Sequence, residues 1–269
     1  MRPDVVAACG PWRLAWPDRA AAGRAGDRLG RGTGASLEFV DFRDYTPGDD
    51  LRHVDWRAYA RTDALQVRLF REEVAPHLDL IVDASGSMAS TPAKAQAARD
   101  LAQAIAHLAE RSGARTKVHE AGGGPIDDLD VLACAGRDRG GLLPRVPMRP
   151  RSVRVILSDF LVPDDPGPRI RALQAGGAHV IALQLLDPWE ADPAADGPTT
   201  LVDVEDDARL DLELDRTTIE RYRVRLARLT DDVSRATRAL GGRFATVRAA
   251  SLPKMLREGL APAGVVEPS

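Results

Sequence analysis

The spacing of apolar positions divides the chain into an early part whose strands alternate and a later part whose strands do not. Leu37 to Phe42 alternates as a half-buried strand does, and Pro47-Gly48 marks a turn. Leu65 to Phe70 alternates again, with Leu65, Val67 and Leu69 on one face and Gln66, Arg68 and Phe70 on the other. From Leu78 to Val82 the chain is almost continuously apolar, the pattern of a strand covered on both faces. Thr91-Pro92 then reads as a helix start, with proline at the first helical position. Ala97, Leu101, Ile105 and Leu108 form a stripe at helical spacing that stops near Ser112-Gly113.

The alternation of strand and helix continues. A strand is expected at Arg115 to His119, then a stretch rich in Gly, Pro and Arg over 121–150 with a short apolar piece at Leu129 to Ala133. Val153 to Phe160 reads as a second buried strand, and like the first it runs into an aspartate. A helix from Pro168, a stop at Gly176-Gly177 and a strand from His179 to Leu186 follow. Leu201 to Leu214 alternates on either side of Asp206-Asp207, as a hairpin would. Ile219, Tyr222, Leu226, Leu229, Val233 and Leu240 make one seam on a long helix ended by Gly241-Gly242. A last strand at Phe244 to Arg248 and a helix at Leu252 to Leu260 complete the pattern. Strands alternating with helices imply an α/β fold with a mainly parallel sheet and helices on both faces, preceded by a β-rich extension. The implied layout is an N-terminal arm at 1–36, an upstream segment at 37–76 packed on the main domain, that domain at 77–250, and a C-terminal tail at 251–269.

Composition narrows the class. At 269 residues the chain buries enough surface to fold without cross-links, and its two cysteines, Cys9 and Cys134, form neither a disulfide framework nor a zinc pattern. The N-terminus lacks a signal-peptide core and no apolar run reaches membrane-spanning length, so a soluble, cytoplasmic protein is expected. The net charge of −3 and the absence of a basic block with interleaved aromatics argue against nucleic acid.

The candidate chemistry sits where the two buried strands end. Asp83 follows the first, Asp159 the second, and Ser85 and Ser87 occupy alternate positions in the loop after Asp83. Ligand sites in open α/β sheets lie beyond such strand ends. A hard divalent cation takes oxygen ligands, using one or two carboxylates and keeping several waters. Serine, aspartate and glycine are also ordinary turn residues, so the same loop reads equally as a plain strand-to-helix connection.

"DASGSM", Asp83 to Met88, resembles the D-x-S-x-S motif of von Willebrand factor A-type domains and their metal-ion-dependent adhesion site. Together with "LEFVDFRDYTPGDDLRHVDWRAYARTDALQVRLFREE" (37–73) and "LQLLDPWE" (183–190), it resembles the bacterial domain-of-unknown-function family number 58 over about residues 30 to 250. The resemblance implies an A-type domain in which Asp83, Ser85 and Ser87 ligate Mg²⁺ or Mn²⁺, with Asp159 acting directly or through water. It also implies an adhesion-type interaction module working with a MoxR-type AAA+ ATPase in protein maturation or assembly. One departure bears on the metal: A-type domains add a threonine ligand, yet no Ser or Thr lies between Thr116 and Ser152. Asp127, Asp128 or Asp138 would have to substitute, or water fill the place, so binding is expected to be weak or absent. A metal-free scaffold presenting the same face is the alternative.

The upstream motif Tyr45-x-Pro47-Gly48-Asp49-Asp50-x-Arg52-x-x-Asp55-Trp56 has two readings, a structural brace or a docking surface for a partner. Pro47-Gly48 fits a type II turn, Asp49 or Asp50 a helix cap, Arg52 and Asp55 an ion pair, and Trp56 a cover for the sheet edge. Enzyme readings fit less well. An aspartyl-phosphate hydrolase needs a second carboxylate two residues after the first, where this chain has Ser85. A serine hydrolase needs a G-x-S-x-G elbow, which "ASGSM" lacks. The five histidines show no metal-ligand spacing. A non-enzymatic role is therefore expected.

Overall fold

The computed structural model describes the chain except residues 1, 18–36, 73–75, 128, 130–142, 144, 146, 163–164, 195–196 and 205–207. Its elements in chain order begin with α1 (Pro3–Cys9), β1 (Trp12–Leu14), β2 (Leu37–Asp44), α2 (Trp56–Thr62), β3 (Gln66–Glu72) and β4 (His77–Val82). They continue with α3 (Pro92–Arg111), β5 (Arg115–Glu120), β6 (Pro125–Ile126), β7 (Val153–Ser158), α4 (Gly167–Ala172), β8 (His179–Leu186) and α5 (Pro188–Ala191). Then come β9 (Gly197–Val202), β10 (Arg209–Leu214), α6 (Arg216–Ala239), β11 (Arg243–Arg248), α7 (Leu252–Lys254) with a π turn over Met255–Leu260, and β12 (Val266–Pro268).

The fold is mixed α/β. Its main sheet has six strands in the order β11-β8-β7-β4-β5-β6, parallel throughout except for the short edge strand β6. The continuous apolar runs predicted to be covered on both sides are so: the β7 residues are all buried, and in β4 Leu78, Leu80, Ile81 and Val82 are fully enclosed. Ile81, Ile156, Val180 and Ala182 pack with Phe160, Ile170 and Leu173 and with Val233 of α6. Side chains alternate across a strand, so Leu80, Val82, Val155 and Leu157 point to the opposite face; they too are fully buried, and α3 packs against β4, β5 and β8. Both long helices begin as their sequences require. Thr91 accepts a hydrogen bond from Lys94 N at the start of α3, and Asp215 one from Thr218 N at the start of α6. Gly113 and Gly241, just past their ends, take positive φ values of 77° and 69°. The hairpin expected around Asp206-Asp207 forms as β9 and β10, its turn residues lying outside the described positions.

Two boundaries change. The segment read as an arm at 1–36 carries α1 and β1, and β1 pairs antiparallel with β12 of the segment read as a C-terminal tail. Residues 1–17 therefore form one compact unit with 76–269, and 18–75 form another. An arm joins the core because its apolar residues have somewhere to go: Val5, Cys9 and Leu14 are buried.

In the second unit β2 and β3 pair antiparallel, with a register shift between Phe39 and Asp41. The connection holds the motif, and each motif aspartate is used locally. Asp49 N donates to Thr46 O across Pro47-Gly48, where Gly48 has φ 108°, as a type II turn requires. Asp49 receives two bonds from the Arg43 guanidinium, at 2.8 and 2.6 Å, which hold its carboxyl well below the ordinary range. Asp50 caps the short turn Leu51–His53 and pairs with Arg52 at 2.6 Å. Asp55 caps α2 and pairs with Arg68 at 2.9 Å, so the expected Arg52–Asp55 pair does not form. The nearer partner wins in each case, because Asp50 lies two residues from Arg52 while Asp55 faces β3. Trp56 is exposed, edge-on to Tyr59 at 6.3 Å between ring centroids, rather than covering an edge. Tyr45 N donates to Leu65 O at the loop end of the hairpin.

Candidate functional site

In the main sheet β4 is the first strand of the chain; β5 lies on one side of it and β7 on the other. The strand order reverses there while the strands stay parallel, and the crevice at the carboxyl ends of β4 and β7 is where an α/β sheet places a ligand. Asp83 and Asp159 are the residues that immediately follow those two strands. They are neighbours, since Asp83 N donates to Leu157 O at 2.9 Å and the charge of Asp159 acts on the Asp83 carboxyl.

Asp83 is buried. Its Oδ1 accepts from Ser85 N at 3.0 Å and its Oδ2 from Ser158 Oγ at 2.6 Å. Burial pushes its carboxyl up, and the Asp159 charge pushes it the same way, against the bonds from Ser158 and Ser85. The Ser85 and Ser87 hydroxyls lie 3.0 Å apart, as alternate positions in the loop allow. Beyond Asp159 the backbone turns sharply: the fully buried Phe160 sits at φ 58°, a conformation uncommon for a bulky residue. Phe160 N donates to Ser158 Oγ, and Asp159 O accepts from Gln184 Nε2, so the strained corner is held from two sides.

The structure adds a member that no sequence motif announced. Lys94, in the first turn of α3, is wholly buried, and its ammonium donates to Asp159 Oδ2 at 2.8 Å, Glu190 Oε1 at 2.8 Å and Ser87 O at 2.9 Å. All three of its protons are used. Glu190 comes from the "LDPWE" stretch, whose role the sequence left open. Asp187 caps α5, Asp187 N donates to Glu190 Oε2 at 2.7 Å, and Thr91 Oγ1 donates to Asp187 Oδ2 at 2.8 Å. Tyr222 of α6 donates its hydroxyl to Glu190 O at 2.8 Å; burial and then the charges of Glu190 and Asp159 push that phenol up to about 12. The chain thus contributes four carboxylates, those of Asp83, Asp159, Asp187 and Glu190, and one ammonium to this rim. A signal was present: Lys94 is one of only three lysines, and it stands in the first turn of a helix that carries the apolar stripe Ala97, Leu101, Ile105 and Leu108.

For a hard cation the donor types are right. The Asp83 carboxylate and the Ser85 and Ser87 hydroxyls offer oxygen only, and a dication would relieve the repulsion between Asp83 and Asp159. Among the described residues no three His, Cys, Asp or Glu side chains form a protein-only cage, so hydroxyls and water would complete any shell. Of the proposed substitutes for the missing threonine, Asp127 is exposed after β6, and Asp128 and Asp138 lie outside the described residues.

Comparison with known proteins gives a family but no activity. The model of the family "Protein of unknown function DUF58" matches residues 41–124 and 141–249. The chain is 29% identical over 255 residues to the uncharacterized proteins Mb1516 of Mycobacterium bovis and Rv1480 of Mycobacterium tuberculosis, covering 83% of this chain and 78% of each relative. Among solved structures it is similar to the conserved hypothetical protein BatB from Bacteroides thetaiotaomicron, at TM-score 0.40 and 11% identity over 70% of this chain and 98% of the other. It is also similar to an aerotolerance-related membrane protein from Bacteroides fragilis, at TM-score 0.37 and 10% identity over 71% and 98%. In this chain itself, among the described residues, no helix is long and apolar enough to cross a membrane. The family match extends over both the motif-bearing hairpin and the main sheet, and the chain belongs to the DUF58 family of proteins of unknown function.

Proposed function

We propose that the protein is a non-enzymatic interaction module of the von Willebrand factor A type, whose rim at Asp83, Ser85 and Ser87 binds a partner through a divalent cation. The observation that supports this best is the placement of a buried carboxylate and two adjacent hydroxyls at the switch point of a parallel sheet, beside a second carboxylate. When bound, Mg²⁺ or Mn²⁺ would supply a Lewis-acidic charge able to accept one further oxygen. Asp83 would hold it by charge, Ser85 and Ser87 by hydroxyl oxygens, and Ser158 would keep the Asp83 carboxylate oriented. The partner group best suited to the open position is a carboxylate. By family resemblance the partner is a MoxR-type AAA+ ATPase, and the pair would act in protein maturation or assembly.

The test is capture of that ATPase by the purified chain in Mg²⁺ and in EDTA, together with calorimetric titration of Mg²⁺ and Mn²⁺ into wild type and Asp83→Ala. The expected result is ion-dependent capture and a binding heat that Asp83→Ala abolishes. Identical heats for the two proteins would refute the cation seat. A second reading, a metal-free scaffold presenting the same face, is favoured by one observation: Lys94 already pairs with Asp159 and Glu190 from within. Capture that is unchanged in EDTA and by Asp83→Ala would select it.

A further inference from the structure

Buried ammonium groups are scarce because removing one from water is costly, and those that persist are fully paired. Lys94 is such a group, and its position is unusual. The same nitrogen that binds Asp159 and Glu190 also binds the carbonyl of Ser87, whose hydroxyl belongs to the candidate cation seat. It stands within one residue of the oxygens that would meet an ion.

We propose that Lys94 is a resident cation of this rim: it takes Asp159 and Glu190 out of the ligand set and holds divalent affinity low. The inference rests on the cation-seat reading above and assigns the reason for weak binding to this side chain, in place of the missing threonine. Two physical effects act together. Asp159 Oδ2 is bonded to the ammonium and its Oδ1 accepts from Leu161 N at 3.0 Å, so both of its oxygens are engaged inside the protein. An ion beside Ser87 would also face a like charge a few residues' width away in a poorly screened, buried setting.

The experiment is Mn²⁺ titration, followed by electron paramagnetic resonance of the free ion, into wild type, Lys94→Met, Asp83→Ala and the Lys94→Met/Asp83→Ala double variant. The expected result is that Lys94→Met binds Mn²⁺ about ten-fold more tightly than wild type or better, that its melting temperature rises with added Mn²⁺ more than the wild type's does, and that Asp83→Ala removes both gains. Equal or weaker binding by Lys94→Met overturns the proposal. If Lys94→Met is unfolded without metal, circular dichroism during the Mn²⁺ titration decides: recovery of helix that needs Asp83 supports the proposal, and no recovery overturns it. The two readings separate cleanly. Wild type binding as tightly as Lys94→Met keeps the cation seat and rejects the role of Lys94. Binding by Lys94→Met alone supports the role of Lys94 and makes the natural protein the metal-free scaffold.

Discussion

Removing the buried ammonium is the most informative single change for stability. Lys94→Met keeps the length and the apolar stem of the side chain but deletes three hydrogen bonds, each of 2.8 to 2.9 Å. The partners do not regain water: Asp159 is 2% exposed and Glu190 13%. Breaking a buried pair by removing one member leaves an uncompensated charge, which costs about 3–5 kcal/mol. For a domain of this size that corresponds to a fall in melting temperature of about 6–20 °C. Asp159→Asn in the same background removes the more deeply buried of the two stranded charges, so the double variant is expected to be more stable than the sum of the two single losses by at least about 1 kcal/mol. The assay is urea unfolding in EDTA, followed by far-UV circular dichroism, for wild type, both single variants and the double variant. A Lys94→Met protein within about 1 kcal/mol of wild type, with additive single losses, would show that the ammonium is not the keystone of this rim.

Four further outcomes are expected. Asp79 is buried; burial pushes its carboxyl up, but hydrogen bonds from His119 and Ser152 and the charges of His119 and Arg154 outweigh this and hold it below its ordinary value. A depressed carboxyl contributes stability above its unfolded value of about 3.9 and loses it as pH falls through the folded value, so Asp79→Asn should flatten the acid limb of a plot of urea midpoint against pH. Gly242→Ala would place a methyl group 2.3 Å from Val180 O and 2.9 Å from Thr237, so it should cost about 2 kcal/mol or more by thermal unfolding. Gly48→Ala meets no atom within 4 Å and should cost only the strain of its positive φ, about 1 kcal/mol. Asp55→Ala removes the cap of α2 and the partner of Arg68, so amide exchange should quicken over 56–62 while the main sheet keeps its protection; equal loosening in both would contradict the division into two units.

Much of this architecture was legible in the chain because its causes are local. A continuous apolar run announces a strand buried on both sides, and β4, β7 and β8 are such strands. Proline after threonine announces a helix start, and paired glycines announce the stops after α4 and α6. The turn at Pro47-Gly48 and the aspartate caps were readable for the same reason: each partner lies within a few residues. The loop of Asp83, Ser85 and Ser87 was identifiable by spacing, and its relation to Asp159 by the rule that such sites gather at strand ends.

What the tertiary structure alone decided depends on which distant segments become neighbours. Lys94 meets Asp159 across 65 residues and Glu190 across 96, and Thr91 meets Asp187 across 96. No periodicity encodes such pairs; they follow from the strand order that sets β7 beside β4, with β8 and its following turn beyond. The pairing of β1 with β12 joins the two ends of the chain in the same way. A local pattern fixes which face of an element is apolar, but the charge an aspartate meets at the end of a strand depends on what the rest of the chain brings there.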